Sequence, residues 1–300
     1  MTLEDRAGGR IGGPPSPSEL IPSPKQRTAG GTWRTLGALL VVLVFLAPIL
    51  LLVSGSLRLP GTPPPPTPEL LPDPLTPENY TRAAELGGLG RAAVNSVLVV
   101  AVVVPLSVLV GSLAGFALTQ VAARTARLVI VASLVAVMVP VTALWVTRFA
   151  IFRTLGLTDT LIPLMAPVLL ATSPFYVLVY YVAFRQLPAE LFDAARSEGA
   201  LPWRIWRRVA MPLVRPVTAA VAALSFILTW SNFLDPLIYI SSRDLFTLPL
   251  ALRSLSLLDI SDYPLFLAGA VIATVPALVV FGIAQRGFLQ RHRGSGWLGR

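Results

Sequence analysis

The chain has 300 residues, of which 54% are hydrophobic and only 13% are charged, and its mean hydropathy is +0.72. Because a soluble domain carries about 25% charged residues, this composition predicts a protein that lies in a lipid bilayer. The chain lacks cysteine and has only one histidine, His292, and one lysine, Lys25, which excludes disulfides, a multi-histidine metal site and a phosphate loop of the Walker A type.

The net charge of +9 arises largely from basic residues that flank apolar stretches. Such residues set the orientation of helices in a membrane, so no nucleic-acid partner is predicted. No catalytic residue, metal site or cofactor is predicted either. If ATP drives this protein, a separate chain must hydrolyse it.

The first 90 residues contain one predicted span between two polar segments. Residues 1–32, rich in Gly, Pro and Ser, predict a disordered cytoplasmic tail. Residues 33–57 contain the first transmembrane helix, at about 36–57, with Trp33 and Arg34 at its start. Residues 58–90 form an extracytoplasmic connector, whose Pro-rich part, 59–77, is expected to be stiff and extended.

Five further apolar spans follow, which makes six transmembrane helices in an all-α fold. Gly111 and Gly115 form a small-xxx-small pair that favours close approach of another helix. Prolines within the third and fourth spans predict kinks. The five spans lie at about 92–118, 128–147, 161–184, 213–240 and 264–284, and a cytoplasmic tail occupies 289–300.

The positions of the basic residues predict the orientation of these spans. With the N-terminus inside, 17 of the 24 Lys and Arg residues fall on the inner side. This bias places both termini in the cytoplasm of a multi-pass plasma-membrane protein.

Charged residues are missing from the centres of the predicted spans, and Asp235 lies near the outer end of the fifth. Carriers coupled to protons or sodium usually need ionisable groups inside the membrane, so a secondary carrier is disfavoured. A membrane hydrolase would need a cysteine, a histidine or a pair of carboxylates inside the spans, and the sequence has none there. A scaffold without a pathway is disfavoured only mildly, by the prolines.

The connection between spans four and five, residues 187–212, is too long for a simple hairpin. Pro188 can open a helix whose N-terminal end suits Asp193, and Gly199 fits the left-handed residue that ends it. Pro202 can open a second helix over 202–210, and Pro212 then stops or kinks the chain. The segment is predicted to be a helix-turn-helix that projects from the membrane.

The side chains of this segment suit a protein interface. Ala194 and Ala195 allow close backbone approach, while Trp203, Trp206 and the arginines between them are typical anchors of interfaces. The alternative is a basic loop that only sets membrane topology.

The same segment resembles the EAA motif of ATP-binding-cassette (ABC) importer permeases. Asp193, Ala194 and Ala195 stand for its opening, Gly199 falls at the motif's spacing, and 209–212 match its apolar ending before proline. In that family the loop docks into a cleft of the cytosolic ATPase subunit. By this resemblance the coupling residues are Asp193, Ala194, Ala195, Glu198, Gly199, Ala200, Trp203, Trp206, Arg207 and Pro212.

The resemblance extends over about 91–288, and this range is predicted to be one permease transmembrane domain. Asn95-Ser96 and the segments 156–160, 230–233 and 285–288 look similar to the carbohydrate-uptake branch, in particular to the second permease of maltose-type systems. The resemblance implies a type I ABC importer permease fold. It also implies a second permease, a pair of ATPase subunits and an extracellular substrate-binding protein as partners.

Candidate substrate residues are Trp230, Ser231 and Asn232 in span five, because sugars bind to aromatic faces and to hydroxyl or amide groups. Packing within the bundle is the alternative for these residues. Asp159 and Thr160 are candidates for a helix cap. Arg148 and Arg153, on the outer side, could attract an anionic solute such as glycerol phosphate, or could simply be solvated.

Overall fold

The computed structural model describes residues 31–67, 69–170 and 173–292, and all regular secondary structure in these ranges is helical. The chain divides into two compact units, Met1–Leu50 and Leu51–Arg300. The helices are α1 (Gly31–Ser56), α2 (Glu78–Leu86), α3 (Leu89–Gln120), α4 (Ala123–Met138), α5 (Trp145–Thr154), α6 (Ile162–Leu170), α7 (Pro174–Arg185), α8 (Ala189–Ser197), α9 (Pro202–Ile205), α10 (Met211–Leu213), α11 (Arg215–Trp230), α12 (Leu234–Tyr239), α13 (Leu248–Ser256) and α14 (Tyr263–His292).

Three described helical stretches are long and apolar enough to cross a membrane: Thr35–Ser56, Leu89–Gln120 and Ile260–Ile283. Two bent helix pairs could each count as one more span, which gives up to five by length and composition. The protein is therefore multi-pass. Six spans and the orientation of the termini remain predictions.

The third predicted span is broken by a proline. α4 ends at Met138, Val139 is extended before Pro140, and the chain resumes through Val141–Leu144 at an angle of 83°. Proline cannot donate a backbone hydrogen bond and pushes the preceding residue out of the helical region. The predicted kink is thus a sharp bend.

The fourth and fifth predicted spans are also divided. α6 and α7 separate before Pro174, with residues 171–172 outside the described part. Span five divides just before Pro236, which lies in the first turn of α12 and has no N–H to donate to the Asn232 carbonyl. α11 ends at Trp230, and Asn232 Oδ1 accepts from the backbone N–H of Asp235 at 3.2 Å. Such a local bond from an Asn side chain to the backbone competes with continuation of the helix.

The Pro-rich part of the connector is non-helical in its described residues, as predicted, but it is not a straight spacer. It turns back on itself, because Ser54 Oγ donates to the Glu69 carbonyl at 2.7 Å and Arg58 pairs with the Glu69 carboxylate. The connector also contains α2, a helix that the sequence reading missed. Asn79 in α2 is fully buried and donates to the Ser56 and Arg58 carbonyls at 3.0 and 2.6 Å.

The central helix of the second unit is α3, which packs against α6, α7, α11 and α13. The predicted close approach at Gly111 and Gly115 occurs against α7. A Cβ at Gly115 would lie 2.9 Å from backbone atoms of α7, so glycine is needed there. A Cβ at Gly111 would lie 3.2 Å from Tyr176 Cβ, which is a tight contact.

The helices at both chain ends are longer than predicted, and α1 already begins at Gly31, within the predicted N-terminal tail. α14 continues to His292, so the first residues of the predicted tail are helical, and residues 285–288 lie within its last turns. The N-terminal tail to residue 30 and residues 293–300 lie outside the described part of the chain.

Candidate functional site

The 187–212 segment folds as the predicted helix, turn and helix. α8 follows Pro188 and ends at Ser197, and Gly199, two residues later, has a φ of +76°, the left-handed conformation that favours glycine. The N–H of Gly199 donates to the Arg196 carbonyl at 2.9 Å and the N–H of Ala200 to that of Ala195 at 3.0 Å. This pair of bonds is a Schellman motif, which satisfies the last carbonyls of α8.

The second helix of the segment is interrupted. α9 spans only four residues, and Trp206–Ala210 form a π-helical turn before α10. Pro212 has no N–H to donate to the carbonyl four residues earlier, so the wider turn lies where the α-helical bond would be missing. The stretch Pro202–Leu213, which ends with α10, meets α11 at an angle of 85°.

The predicted coupling residues divide into an outer and an inner set. Asp193, Ala194, Glu198, Gly199, Trp203 and Arg207 are exposed, and Trp203 is 54% exposed. Ala195 and Ala200 are half-buried against a cluster that also holds Trp206 and residues of α7 and α11. The outer set therefore forms a free surface on the segment.

Trp206 is not the exposed anchor that the sequence predicted. It is buried, and its ring stacks on that of Trp203 with centroids 4.7 Å apart. At 3.6 residues per turn, positions 203 and 206 lie on neighbouring faces, and the segment turns the second face to the bundle. Trp206 packs the segment onto the protein, and Trp203 covers it on the outside.

Two residues that the sequence reading did not single out attach α8 to the bundle. Arg196 Nη1 donates to Asp193 at 2.9 Å, and its Nη2 donates to Gln120 Oε1, at the end of α3, at 2.7 Å. The Asp193–Arg196 spacing of three residues was a usable signal, whereas the contact with Gln120 joins residues 76 positions apart.

A cavity of about 330 Å³ lies between α3, α6, α11 and α12. Its walls combine apolar side chains with hydroxyl groups, an amide and one pair of opposite charges. The polar residues that line it are Ser96, Ser107, Arg148, Ser173, Tyr176, Ser225, Thr229, Asn232, Asp235 and Thr247. This is the chemistry of a site for a small polar solute.

Only one of the three predicted substrate residues lines this cavity, namely Asn232. Trp230 is buried against Phe226, and its Nε1 donates to the Ala273 carbonyl at 3.0 Å. Ser231 is exposed and donates to the Ile227 carbonyl at 2.7 Å. For Trp230 and Ser231 the structure favours the packing alternative, because both side chains already have partners within the helices.

Arg148 is not an exposed loop residue. It lies in α5, its side chain is 20% exposed, and its Nη1 is 3.6 Å from Asp235 Oδ1. Its guanidinium also lies over the ring of Tyr239, 5.6 Å from the centroid. Arg153, in the last turn of the same helix, is exposed as expected. The bend between α4 and α5 brings Arg148 inward, which sequence spacing could not show.

The other residues of the resemblance hold loops in place. Asn95 donates to the Asp244 and Phe246 carbonyls at 2.9 and 3.0 Å, and Ser96 Oγ accepts from the N–H of Leu248 at 2.8 Å. They attach α3 to the chain that leads into α13.

Asp159 joins two loops, the one before α6 and the one after α12. It adopts a φ of +58°, and its carboxylate accepts from the backbone N–H groups of Ser241 and Ser242 and from the Ser242 hydroxyl. These donors lower the pKa of Asp159, the hydroxyl of Ser242 having the largest effect. Asp159 therefore links the two loops, and we call this set of bonds the Asp159 clasp. Thr160 Oγ1 accepts a long hydrogen bond from the N–H of Ile162, as a cap would.

The chain is similar to known transport proteins. Residues 83–293 match the family model described as binding-protein-dependent transport system inner membrane component. The lactose transport system permease protein of Rhizobium radiobacter is 34% identical over 67% of this chain and 73% of its own length. The arabinooligosaccharides transport system permease protein of Halalkalibacterium halodurans is 31% identical over 85% of this chain and 92% of its own length. A bacterial ABC transporter involved in alginate import has a chain with a TM-score of 0.71, 19% identity, and coverage of 88% of this chain and 99% of that one, which shows a shared fold.

Proposed function

Because this chain belongs to the family of binding-protein-dependent transport system inner membrane components, we propose that it is a permease subunit of an ATP-binding-cassette importer for a sugar or oligosaccharide. It forms the translocation pathway together with a second, different permease. An extracellular binding protein delivers the solute, and a cytosolic ATPase on separate chains drives the transport cycle.

The observation that carries this proposal is the exposed helix-turn-helix of 187–212. Trp203 and Arg207 present an aromatic ring and a guanidinium on its free surface, and Gly199 leaves the turn without a side chain. Aromatic and arginine side chains dominate the binding energy of protein interfaces. This surface suits the cleft of an ATPase subunit.

The interior contacts of the same segment supply a route from the ATPase to the pathway. Trp206 packs in one cluster with Tyr180 of α7 and Val221 of α11. The same two helices contribute Tyr176 and Ser225 to the wall of the cavity. Because packed interiors transmit displacement with little compression, a shift of the segment moves the helices that line the cavity.

The sugar assignment rests on the relatives and on the cavity. The relatives described above carry permease names for lactose and for arabinooligosaccharides. The cavity wall offers hydroxyl and amide partners. Asp235 neutralises the arginine that would have favoured glycerol phosphate, so an uncharged solute fits better.

The experiment that tests this function is co-purification of the ATPase with the whole transporter from detergent-solubilised membranes, comparing wild type with Gly199→Trp. No described atom lies within 4 Å of a Cβ placed on Gly199, so the indole projects outward to obstruct docking. The matched control is Gly156→Trp, because Gly156 also has a positive φ (+68°) and equally open surroundings but lies on the predicted outer side. We expect Gly199→Trp to lose the ATPase and Gly156→Trp to retain it. A wild-type protein that inserts but never recruits the ATPase would overturn the proposal.

A further inference from the structure

The cavity contains one pair of charged side chains with unused hydrogen-bonding capacity. Arg148 Nη1 and Asp235 Oδ1 are 3.6 Å apart, which is too long for a hydrogen bond. Across the described residues, neither Asp235 Oδ1 nor Arg148 Nη2 has a hydrogen-bond partner, although both atoms are fully covered. Buried polar atoms are usually satisfied, so an unpaired donor and an unpaired acceptor in residues that line a cavity indicate a partner that these residues of the chain do not supply.

The surrounding contacts hold both groups in place without satisfying these two atoms. Asn232 Nδ2 donates to the other carboxylate oxygen, Asp235 Oδ2, at 2.9 Å. The ring of Tyr239 lies against the Arg148 guanidinium. Both charged side chains are about four-fifths buried. The pair is therefore held in place, and both residues belong to the lining of the cavity.

We propose that Arg148 and Asp235 form a charge-neutral subsite for neighbouring hydroxyl groups of a sugar in this cavity. Both atoms are covered in this structure, so the two side chains must turn outward to the solute before one hydroxyl donates to Asp235 Oδ1 and another accepts from Arg148 Nη2. Each hydroxyl can both donate and accept. Thr229, on the wall formed by α11, is available for a further hydroxyl. This inference rests on the proposed transport function and identifies residues that contact the solute.

The two charges also predict which solutes are disfavoured. A carboxylate or phosphate entering the cavity would approach Asp235 as well as Arg148, and its attraction to one would be offset by repulsion from the other. Burial makes such repulsion costly, because water screens it little. The pair selects uncharged solutes over anionic ones of the same size.

The test measures dissociation constants by saturation-transfer NMR on the purified whole transporter. The probes are lactose, trehalose and arabinotriose as neutral sugars and digalacturonate as the anionic one. The variants are Asp235→Asn, which leaves Arg148 without its counter-charge, and the double variant Arg148→Gln/Asp235→Asn, which stays neutral and is similar in shape. The control is Arg153→Gln on the exposed side of α5.

We expect wild type to bind at least one neutral probe and to reject digalacturonate. Asp235→Asn and the double variant should each weaken neutral binding about tenfold, since each loses hydrogen bonds to a charged group. Only Asp235→Asn should gain affinity for digalacturonate, and Arg153→Gln should behave as wild type.

Three results would overturn the subsite. The first is unchanged binding of neutral and anionic probes in both variants, and the second is wild type that binds digalacturonate as tightly as the neutral sugars. The third is a double variant that restores the affinity lost in Asp235→Asn, as expected of a purely structural pair. Each preparation is also assayed for the bound ATPase. Loss of the ATPase in wild type refutes the transport function itself, whereas its presence with unchanged sugar binding refutes the subsite alone.

Discussion

Gly115 of α3 and Tyr180 of α7 lie so close that a Cβ on the glycine would be 2.7 Å from the Cβ of the tyrosine. The same Cβ would meet the backbone of α7 at 2.9 Å, at the Val177 carbonyl oxygen and the Tyr181 nitrogen. Because backbone atoms cannot rotate away, the contact between the two helices depends on the missing side chain.

Gly115→Ala should lower the free energy of unfolding by about 1–3 kcal/mol, the usual cost of overpacking a tight core. The measurement is the midpoint of thermal aggregation in detergent, followed by size-exclusion chromatography. Gly90→Ala in the same helix is the matched control, since no atom of the described chain lies within 4 Å of a Cβ there. Equal midpoints for the two variants would mean that the α3–α7 contact is looser than the structure has it.

The two tryptophans of the 187–212 segment should respond differently to truncation. Trp206→Ala removes a buried ring and should destabilise the protein by about 3–5 kcal/mol, whereas Trp203→Ala removes a half-exposed one and should cost far less. Trp203→Ala should instead reduce co-purification of the ATPase under the proposed function. Thermal midpoints and pull-down yields of both variants distinguish packing from docking, and a stable Trp206→Ala protein would contradict this division.

Asn95 and Ser96 should be sensitive to small polar changes. Asn95→Asp replaces the amide that donates to two carbonyls with a carboxylate that can only accept. One unsatisfied buried group costs about 1–3 kcal/mol, so the loss of both bonds should destabilise the protein by more than that. Ser96→Ala leaves the N–H of Leu248 without its acceptor and should cost about 1–3 kcal/mol.

The control for these two variants is Ser254→Ala. The Ser254 hydroxyl donates only to the Ala251 carbonyl within α13, so its removal should have little effect on the thermal midpoint. If Ser96→Ala were as stable as Ser254→Ala, the attachment of α3 to the chain before α13 would not matter to stability.

The Asp159 clasp predicts a pH-dependent stability. Its carboxyl has a pKa below the ordinary value of 3.8, so the folded protein holds this proton less tightly than the unfolded chain does. Its stabilising contribution is therefore complete at a pH above that ordinary value and is lost as the pH falls through the lowered pKa.

Thermal midpoints of wild type and Asp159→Asn should accordingly differ at pH 7 and converge in acid. Ser242→Ala removes the donor with the largest effect on this pKa, so its midpoint should lie between the other two at pH 7. A wild-type advantage that persists unchanged at acidic pH would show that the carboxylate charge is not what holds the two loops.

The sequence alone determined the features that depend on local chemistry or on the length of apolar runs. Spans one, two and six are uninterrupted in composition, and each corresponds to one long helix. The turn at Gly199 followed from glycine's freedom at positive φ and from the prolines around it. These effects act between residues that are close in the sequence, so the sequence alone is enough to predict them.

Only the tertiary structure decided where side chains face after a bend. The break at Pro140 brings Arg148 inward to Asp235, 87 positions later, and the burial of Trp206 depends on α7 and α11. Hydrophobic periodicity gives the buried face of a straight helix, but it carries no information on the angle between two helices or on the partner that covers each face. The pairing of distant charges and the cavity they line are therefore properties of the packed bundle.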